Sequence, residues 1–138
     1  MGPVITHSFA SKQIWPGETW KVYLNAFDPE GEMEAIYCII DQPGAGSYPA
    51  SRTRVPKEQK KELSGYLYLN TAGGFGLTYA TLVLRVQIQD RAGNVSEPVP
   101  FSLAFNPRAR QENPPPGVFR DRELGPIMIN LGSAGSGP

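Results

Sequence analysis

The sequence predicts an all-β domain, a seven-stranded antiparallel sandwich followed by a tail rich in proline and glycine. Apolar and polar residues alternate with a period of two through most of residues 4–105, as in strands with one buried face. The 15 glycines and 14 prolines fall mainly between these runs and near the C-terminus, where they mark turns and a tail. No crossover helix separates the strands, which argues against a parallel α/β fold. Closure of the strands into a barrel would give the same inward pattern and stays open.

Each strand is delimited by turn signals. Pro16-Gly17 ends the first strand, Asp28-Pro29-Glu30-Gly31 separates the second from the third, and Arg91-Ala92-Gly93-Asn94 separates the last two. Pro49 and Pro56 bracket the fourth strand, which therefore belongs at a sheet edge, because proline cannot serve a central ladder. The predicted strands are residues 4–9, 18–28, 32–41, 48–55, 64–71, 77–90 and 95–105.

One face of these strands forms the predicted core. Residues 56–63 interrupt the alternation, and a proline followed by helix-forming residues favours one or two helical turns there. Tyr23, Tyr66 and Tyr68 point to the opposite face from the core. The predicted core residues are Trp20, Val22, Leu24, Ile36, Cys38, Leu67, Leu69, Leu82, Leu84, Val86, Ile88, Phe101 and Leu103.

Composition narrows the class of protein. The chain of 138 residues is long enough for one core that needs neither disulfide nor metal. Thirteen basic residues balance thirteen acidic ones, which argues against a nucleic-acid partner. No apolar run reaches the roughly 18 residues of a membrane span. The single cysteine, Cys38, cannot form an internal disulfide, so it leaves the compartment open.

The composition shifts near residue 107. We therefore expect a sandwich domain over residues 1–107 and a proline-rich linker and flexible tail over residues 108–138. Pro114-Pro115-Pro116-Gly117 is typical of a polyproline spacer. Residues 126–131 are apolar enough to add an edge strand to this domain or to a neighbour; the alternative is a disordered tail.

Two segments resemble bacterial Ig-like and fibronectin type III-like modules. Residues 84–99, an alternating strand followed by Asp90-Arg91-Ala92-Gly93-Asn94, are similar to the last hairpin of those modules. Residues 26–31 are similar to their B–C turn. The resemblance implies an Ig/fibronectin-like sandwich over roughly residues 3–107. The chain departs from the pattern in having no cysteine pair and no inward tryptophan on the third strand. The resemblance transfers no activity, because such modules serve as spacers, adhesion units and enzyme accessories.

An acidic end of the sandwich is one candidate site. In an Ig-like topology the B–C and F–G loops lie at the same end, which would bring Asp28, Glu30 and Glu32 near Asp90 and Asn94. Oxygen ligands from two loops are what Ca²⁺ requires. The simpler interpretation is that Asp28 and Asp90 cap their turns through hydrogen bonds to the backbone. We expect no other cofactor.

The opposite end would gather Trp15, Tyr48 and Phe75 from separate loops. Exposed aromatic side chains at loop tips stack on sugars or anchor a protein partner. They can also fold back to close the end of the core, and the sequence leaves both interpretations open.

No pattern in the sequence predicts an enzyme. His7, the single histidine, lies on a terminal strand, and Cys38 lies on an apolar face as a core residue would. We expect a non-enzymatic interaction or spacer module of an exported bacterial protein, extracellular or periplasmic, with any leader peptide outside this sequence. It would present loops or edge strands to a protein or glycan, and self-association through an edge strand or the tail is open. The alternative is a Ca²⁺- or carbohydrate-binding accessory domain.

Overall fold

The computed structural model describes residues 2–42, 46–47, 50–71 and 81–128. These residues form ten β-strands and one short 3₁₀ helix, with no α-helix among them. The strands are β1 (Val4–Ala10), β2 (Gln13–Ile14), β3 (Trp20–Phe27), β4 (Met33–Gln42), β5 (Gly46–Ser47), β6 (Ser51–Arg54), β7 (Glu62–Leu69), β8 (Thr81–Asp90), β9 (Val99–Phe105) and β10 (Glu123–Pro126). The prediction of an all-β fold is confirmed.

The strands form two sheets with one hydrophobic core between them. The smaller sheet has the order β1-β3-β7-β10. The larger sheet has the order β2-β9-β8-β4-β5, and β6 also pairs with β4. All thirteen predicted core residues belong to the buried cluster, which draws on both sheets. The architecture is therefore sandwich-like, and alternation was sufficient to find its inward faces.

Among the described residues, the core also contains nine residues beyond those thirteen. Ile14 and Val55 come from short segments, and Leu124 and Ile127 come from the C-terminal segment. Met33 and Leu63 lie near the start of their strands, and Ala26, Ile40 and Phe105 continue the inward faces of long strands. A period of two cannot be recognised in segments of two to four residues, so Ile14, Val55, Leu124 and Ile127 depend on tertiary contacts.

The sheets are mixed, which corrects the prediction of purely antiparallel strands. β2 pairs with β9 in parallel, and β10 pairs with β7 in parallel. The predicted helical segment is confirmed only as the 3₁₀ helix Lys57–Gln59. The predicted strand at residues 77–90 is observed from Thr81, and its first four residues lie outside the described part of the chain.

Residues 108–128 pack on the sandwich, whereas the sequence placed them in a linker and flexible tail. The Val118 carbonyl accepts a hydrogen bond from Asn25 Nδ2, and Tyr66 N donates to the Arg122 carbonyl. The Phe119 ring lies 5.6 Å from the ring of Tyr23 on the outer face of the smaller sheet. Tyr23 is consequently buried, and this burial is the largest cause that raises its pKa. The predicted extra strand at residues 126–131 is shifted: β10 occupies Glu123–Pro126, and residues 129–131 lie outside the described residues.

A glycine makes the docking of this C-terminal segment sterically feasible. A Cβ at Gly65 would lie 2.3 Å from the Arg122 carbonyl oxygen and 2.8 Å from a methyl carbon of Leu124. Both distances are shorter than van der Waals contact, so any side chain at this position would displace the segment. Because Gly65 has no side chain, Leu124 can enter the core beside β7.

Candidate functional site

The turn at Asp28 shows how the chain uses its first predicted metal ligand. Asp28 is fully buried. Its Oδ1 accepts a hydrogen bond from Glu30 N, and its Oδ2 accepts one from Glu32 N, both at 3.1 Å. Its carbonyl accepts a third bond from Gly31 N, with Gly31 in the left-handed region at φ 68°. The carboxylate therefore stabilises the turn that leads from β3 to β4.

Asp90 does the same for the turn that follows β8. Its Oδ1 accepts a hydrogen bond from Asn94 N at 2.8 Å, and its Oδ2 accepts one from Asn94 Nδ2 at 3.0 Å. Desolvation raises the pKa of Asp90, but the hydrogen bonds from Asn94 and from the backbone of Ala92 outweigh it. The net result is a pKa below the ordinary value, because these bonds favour the charged carboxylate.

The two acidic turns are neighbours. Arg91 N donates a hydrogen bond to the Glu32 carbonyl, and Met33 is the cross-strand partner of Asp90. We call residues 28–32 together with residues 90–94 the acidic pole. Within residues 2–42, 46–47, 50–71 and 81–128, no three His, Cys, Asp or Glu side chains are close enough together to hold a metal ion. Proximity of the turns thus does not bring the carboxylates into one ligand set.

At the opposite end of the strands, Trp15 lies on a tightly bonded turn. Trp15 N donates to Glu18 Oε1, and Glu18 N donates to the Trp15 carbonyl, both at 3.0 Å. Thr71 Oγ1 accepts a bond from Gly17 N and donates to the Glu18 carbonyl. Trp15 nevertheless remains 56% exposed. The backbone of this turn is held in place while its largest side chain stays in solvent.

A stretch of the C-terminal segment lies opposite this turn. The turn and this stretch form the two walls of a cleft. Gln111 Nε2 donates to the Thr19 carbonyl and its Oε1 accepts from Lys21 N, both at 2.7 Å. Ala109 N donates to the Asn106 carbonyl. The residue between them, Arg110, is exposed and makes no hydrogen bond or ion pair with any part of the chain that the structure describes. Its backbone neighbours are thus hydrogen-bonded on both sides, and Arg110 itself is exposed to solvent.

The two walls enclose an open cleft of about 710 Å³. We call it the Trp15 cleft. Its size falls within the roughly 300–1,000 Å³ of small-ligand sites, and its lining joins apolar surface to a few polar groups, as in such sites. Its lining residues are Trp15, Pro16, Gly17, Glu18, Ala109, Arg110 and Gln111.

Of the three predicted aromatic contact residues, only Trp15 can be placed. Tyr48 and Phe75 lie outside the described residues. Sequence reasoning missed Glu18 and Arg110. The spacing of Glu18, three residues after Trp15 across a Pro-Gly pair, was a usable signal for a closed turn. Arg110 had no such signal, because it reaches the cleft only through the packing of residues 109–111.

The prediction that Cys38 is a core residue is confirmed. Its side chain is fully buried in the core. Burial raises the pKa of the Cys38 thiol to about 12, so the thiolate that attacks electrophiles is scarce at neutral pH. His7 contacts the neighbouring Thr6 hydroxyl on exposed β1.

No protein-family model, no curated protein and no solved structure matches this chain. In the described part of the chain, no helix has the length and hydropathy needed to cross a membrane.

Proposed function

We propose that this chain is a non-enzymatic interaction module with an Ig/fibronectin-like sandwich, and that it contacts its partner through the Trp15 cleft. The observation that carries the proposal is the exposure of Trp15. Trp15 stays 56% exposed on a turn that is held by two internal hydrogen bonds and two to Thr71, so binding through it costs little ordering entropy. Tryptophan is also among the residues that most often dominate binding energy.

Strand order supports the Ig-like part of the proposal. Constant-type immunoglobulin domains place strands A, B and E together in one sheet and strands C, F and G in the other. Here β1-β3-β7 and β9-β8-β4 have the corresponding order, and β6 beside β4 takes the place of the extra strand of variable-type domains. The main departure is β10, a C-terminal parallel strand that stands where strand D would lie.

An exported location belongs to the same proposal and is supported by the resemblance of residues 84–99 to bacterial modules. Fractionation of the source organism, with an antibody against this chain, tests it: recovery in the secreted or envelope fraction is expected. Recovery in the cytoplasmic fraction contradicts it.

The binding role is tested by affinity capture with three immobilised proteins: the wild type, Trp15→Ala and Ile39→Ala. Ile39 is a matched control, because it is also a large exposed apolar residue, at 38%, but it lies on the larger sheet. Secreted and envelope fractions of the source organism are passed over each, and retained proteins and glycans are quantified. We expect retention by the wild type and by Ile39→Ala, and loss with Trp15→Ala. Equal retention by all three contradicts the proposal.

The Ca²⁺-binding alternative finds little support in the geometry of the acidic pole. All four carboxylate oxygens of Asp28 and Asp90 accept hydrogen bonds from their own turns. A thermal melt with and without millimolar Ca²⁺ tests it, since a bound ion would raise the melting temperature by mass action.

A further inference from the structure

We propose that the Trp15 cleft binds a neutral glycan, with one sugar ring stacked on the Trp15 indole and its hydroxyls held by Glu18 and Arg110. This inference rests on the proposed function and names the chemical class of its partner. Three properties of the cleft support it: an exposed platform, an acceptor and donor that line the same cleft, and balanced charge.

The platform has the properties that a sugar ring requires. A pyranose ring presents C–H groups on its faces and hydroxyls around its rim, so its face packs against an exposed aromatic ring. The Trp15 indole is exposed, and reciprocal bonds with Glu18 hold its backbone. Trp20 offers no such surface, because it is 1% exposed and its Nε1 donates to the Ser11 carbonyl.

Glu18 and Arg110 supply the hydrogen-bonding groups. Glu18 Oε1 accepts the bond from Trp15 N, and Oε2 accepts none from the described residues. Arg110 has a full set of N–H donors in a planar fork. A pair of neighbouring sugar hydroxyls can donate to the carboxylate and accept from the guanidinium. Charge-assisted hydrogen bonds of this kind are stronger than those between neutral groups.

Charge decides between neutral and acidic glycans. The lining contains one acidic residue, Glu18, and one basic residue, Arg110. An anionic sugar would gain from Arg110 and lose to Glu18, so the cleft offers it no net attraction. A proline-rich peptide would stack on the indole equally well, but it has no hydroxyls that could donate a hydrogen bond to Glu18. The cleft therefore fits a neutral, hydroxyl-rich ligand best.

The experiment uses the full chain and a defined panel of soluble probes. The neutral probes are cellohexaose, xylohexaose, mannohexaose and maltohexaose; the comparison probes are a galacturonic acid hexamer and a decaproline peptide. Binding is measured by calorimetry and by tryptophan fluorescence. The variants are Trp15→Ala, Trp15→Tyr, Glu18→Gln and Arg110→Ala, with Ile39→Ala as the control, and circular dichroism verifies that each is folded.

We expect at least one neutral hexasaccharide to bind and to change the fluorescence of Trp15. Trp15→Ala should weaken that binding at least tenfold, or ~1.4 kcal/mol. Trp15→Tyr should restore part of it by keeping an aromatic face, and Ile39→Ala should leave it unchanged. Glu18→Gln and Arg110→Ala should each weaken it with little effect on stability.

Three results overturn the inference: no neutral probe binds at millimolar concentration, binding survives Trp15→Ala, or only the acidic hexamer or the peptide binds. If proteins are still captured in a Trp15-dependent way while the neutral glycans fail, the glycan inference falls and the proposed function stands. If Trp15→Ala changes neither measurement, both fall.

Discussion

The two ends of the sandwich use polar side chains in opposite ways. At the acidic pole, Asp28 and Asp90 are buried and accept hydrogen bonds from their own turns on both carboxylate oxygens. At the Trp15 cleft, one Glu18 oxygen and the Thr71 hydroxyl fasten the backbone, while the indole and Arg110 face solvent. The carboxylates of the two aspartates are thus used by their own turns, whereas an exposed indole and an exposed arginine line one cleft at the other end.

This difference shows that acidic residues in a loop do not by themselves indicate a cation site. The hydrogen bonds that their carboxylates already accept must be counted first. Four acidic residues within two turns suggested a cation site in the sequence. In the structure the two aspartates accept hydrogen bonds from three backbone amides and from the side-chain amide of Asn94. Buried amide groups require such acceptors. At the less conspicuous end, Trp15 and Arg110 are exposed and line the same cleft.

Among the turn residues at the two ends, the largest expected effect on stability comes from removing the carboxylate of Asp28. Asp28→Ala leaves the amides of Glu30 and Glu32 without an acceptor, so we expect a loss of about 2 kcal/mol in the free energy of unfolding. Asp28→Asn keeps one acceptor oxygen and should lose about half as much. Urea unfolding measures both. A loss below about 0.5 kcal/mol for Asp28→Ala would mean that the turn does not depend on this residue.

The next prediction is that the contribution of Asp90 to the free energy of unfolding depends on pH. Its pKa in the folded state lies below the ordinary value of 3.8 that the unfolded chain approaches. The stabilisation from Asp90 is therefore complete above that value and is lost as the pH falls through the folded pKa. The stability difference between the wild type and Asp90→Asn should shrink between about pH 5 and about pH 2. A constant difference over this range, by urea unfolding at each pH, would contradict the assignment.

A smaller effect is expected at the Trp15 turn itself. Glu18→Ala removes the acceptor for Trp15 N and should cost about 1 kcal/mol. Glu18→Gln retains that acceptor, so its stability should stay close to that of the wild type. If the two variants melt at the same temperature, the reciprocal bond does not hold the turn.

The smallest effect on stability is expected where the effect on binding is largest. Trp15→Ala should change the free energy of unfolding by less than about 0.5 kcal/mol, because the indole is mostly in solvent. Trp20→Ala is the contrasting variant, since removing a buried tryptophan costs about 3–5 kcal/mol. A large loss with Trp15→Ala would place the indole among the structural contacts of its turn and weaken the case for a platform.

The sequence by itself determined the all-β class, the inward face of each long strand and the turns at Asp28 and Asp90. These features depend on local signals: a period of two, and proline, glycine or aspartate at fixed turn positions. All thirteen predicted core residues were confirmed for that reason. Trp15 could also be singled out, because a tryptophan next to Pro-Gly is conspicuous in any sequence.

Only the tertiary structure decided what happens after residue 107. The packing of residues 108–128 depends on individual hydrogen bonds to distant residues, such as those between Gln111 and both Thr19 and Lys21. It also depends on the space that is left by the missing side chain of Gly65. Such contacts leave no period in the sequence, and proline-rich composition suggested a linker instead. The same packing brings Arg110 to Trp15. The second wall of the cleft was therefore invisible to sequence reasoning, because it forms between residues almost a hundred positions apart.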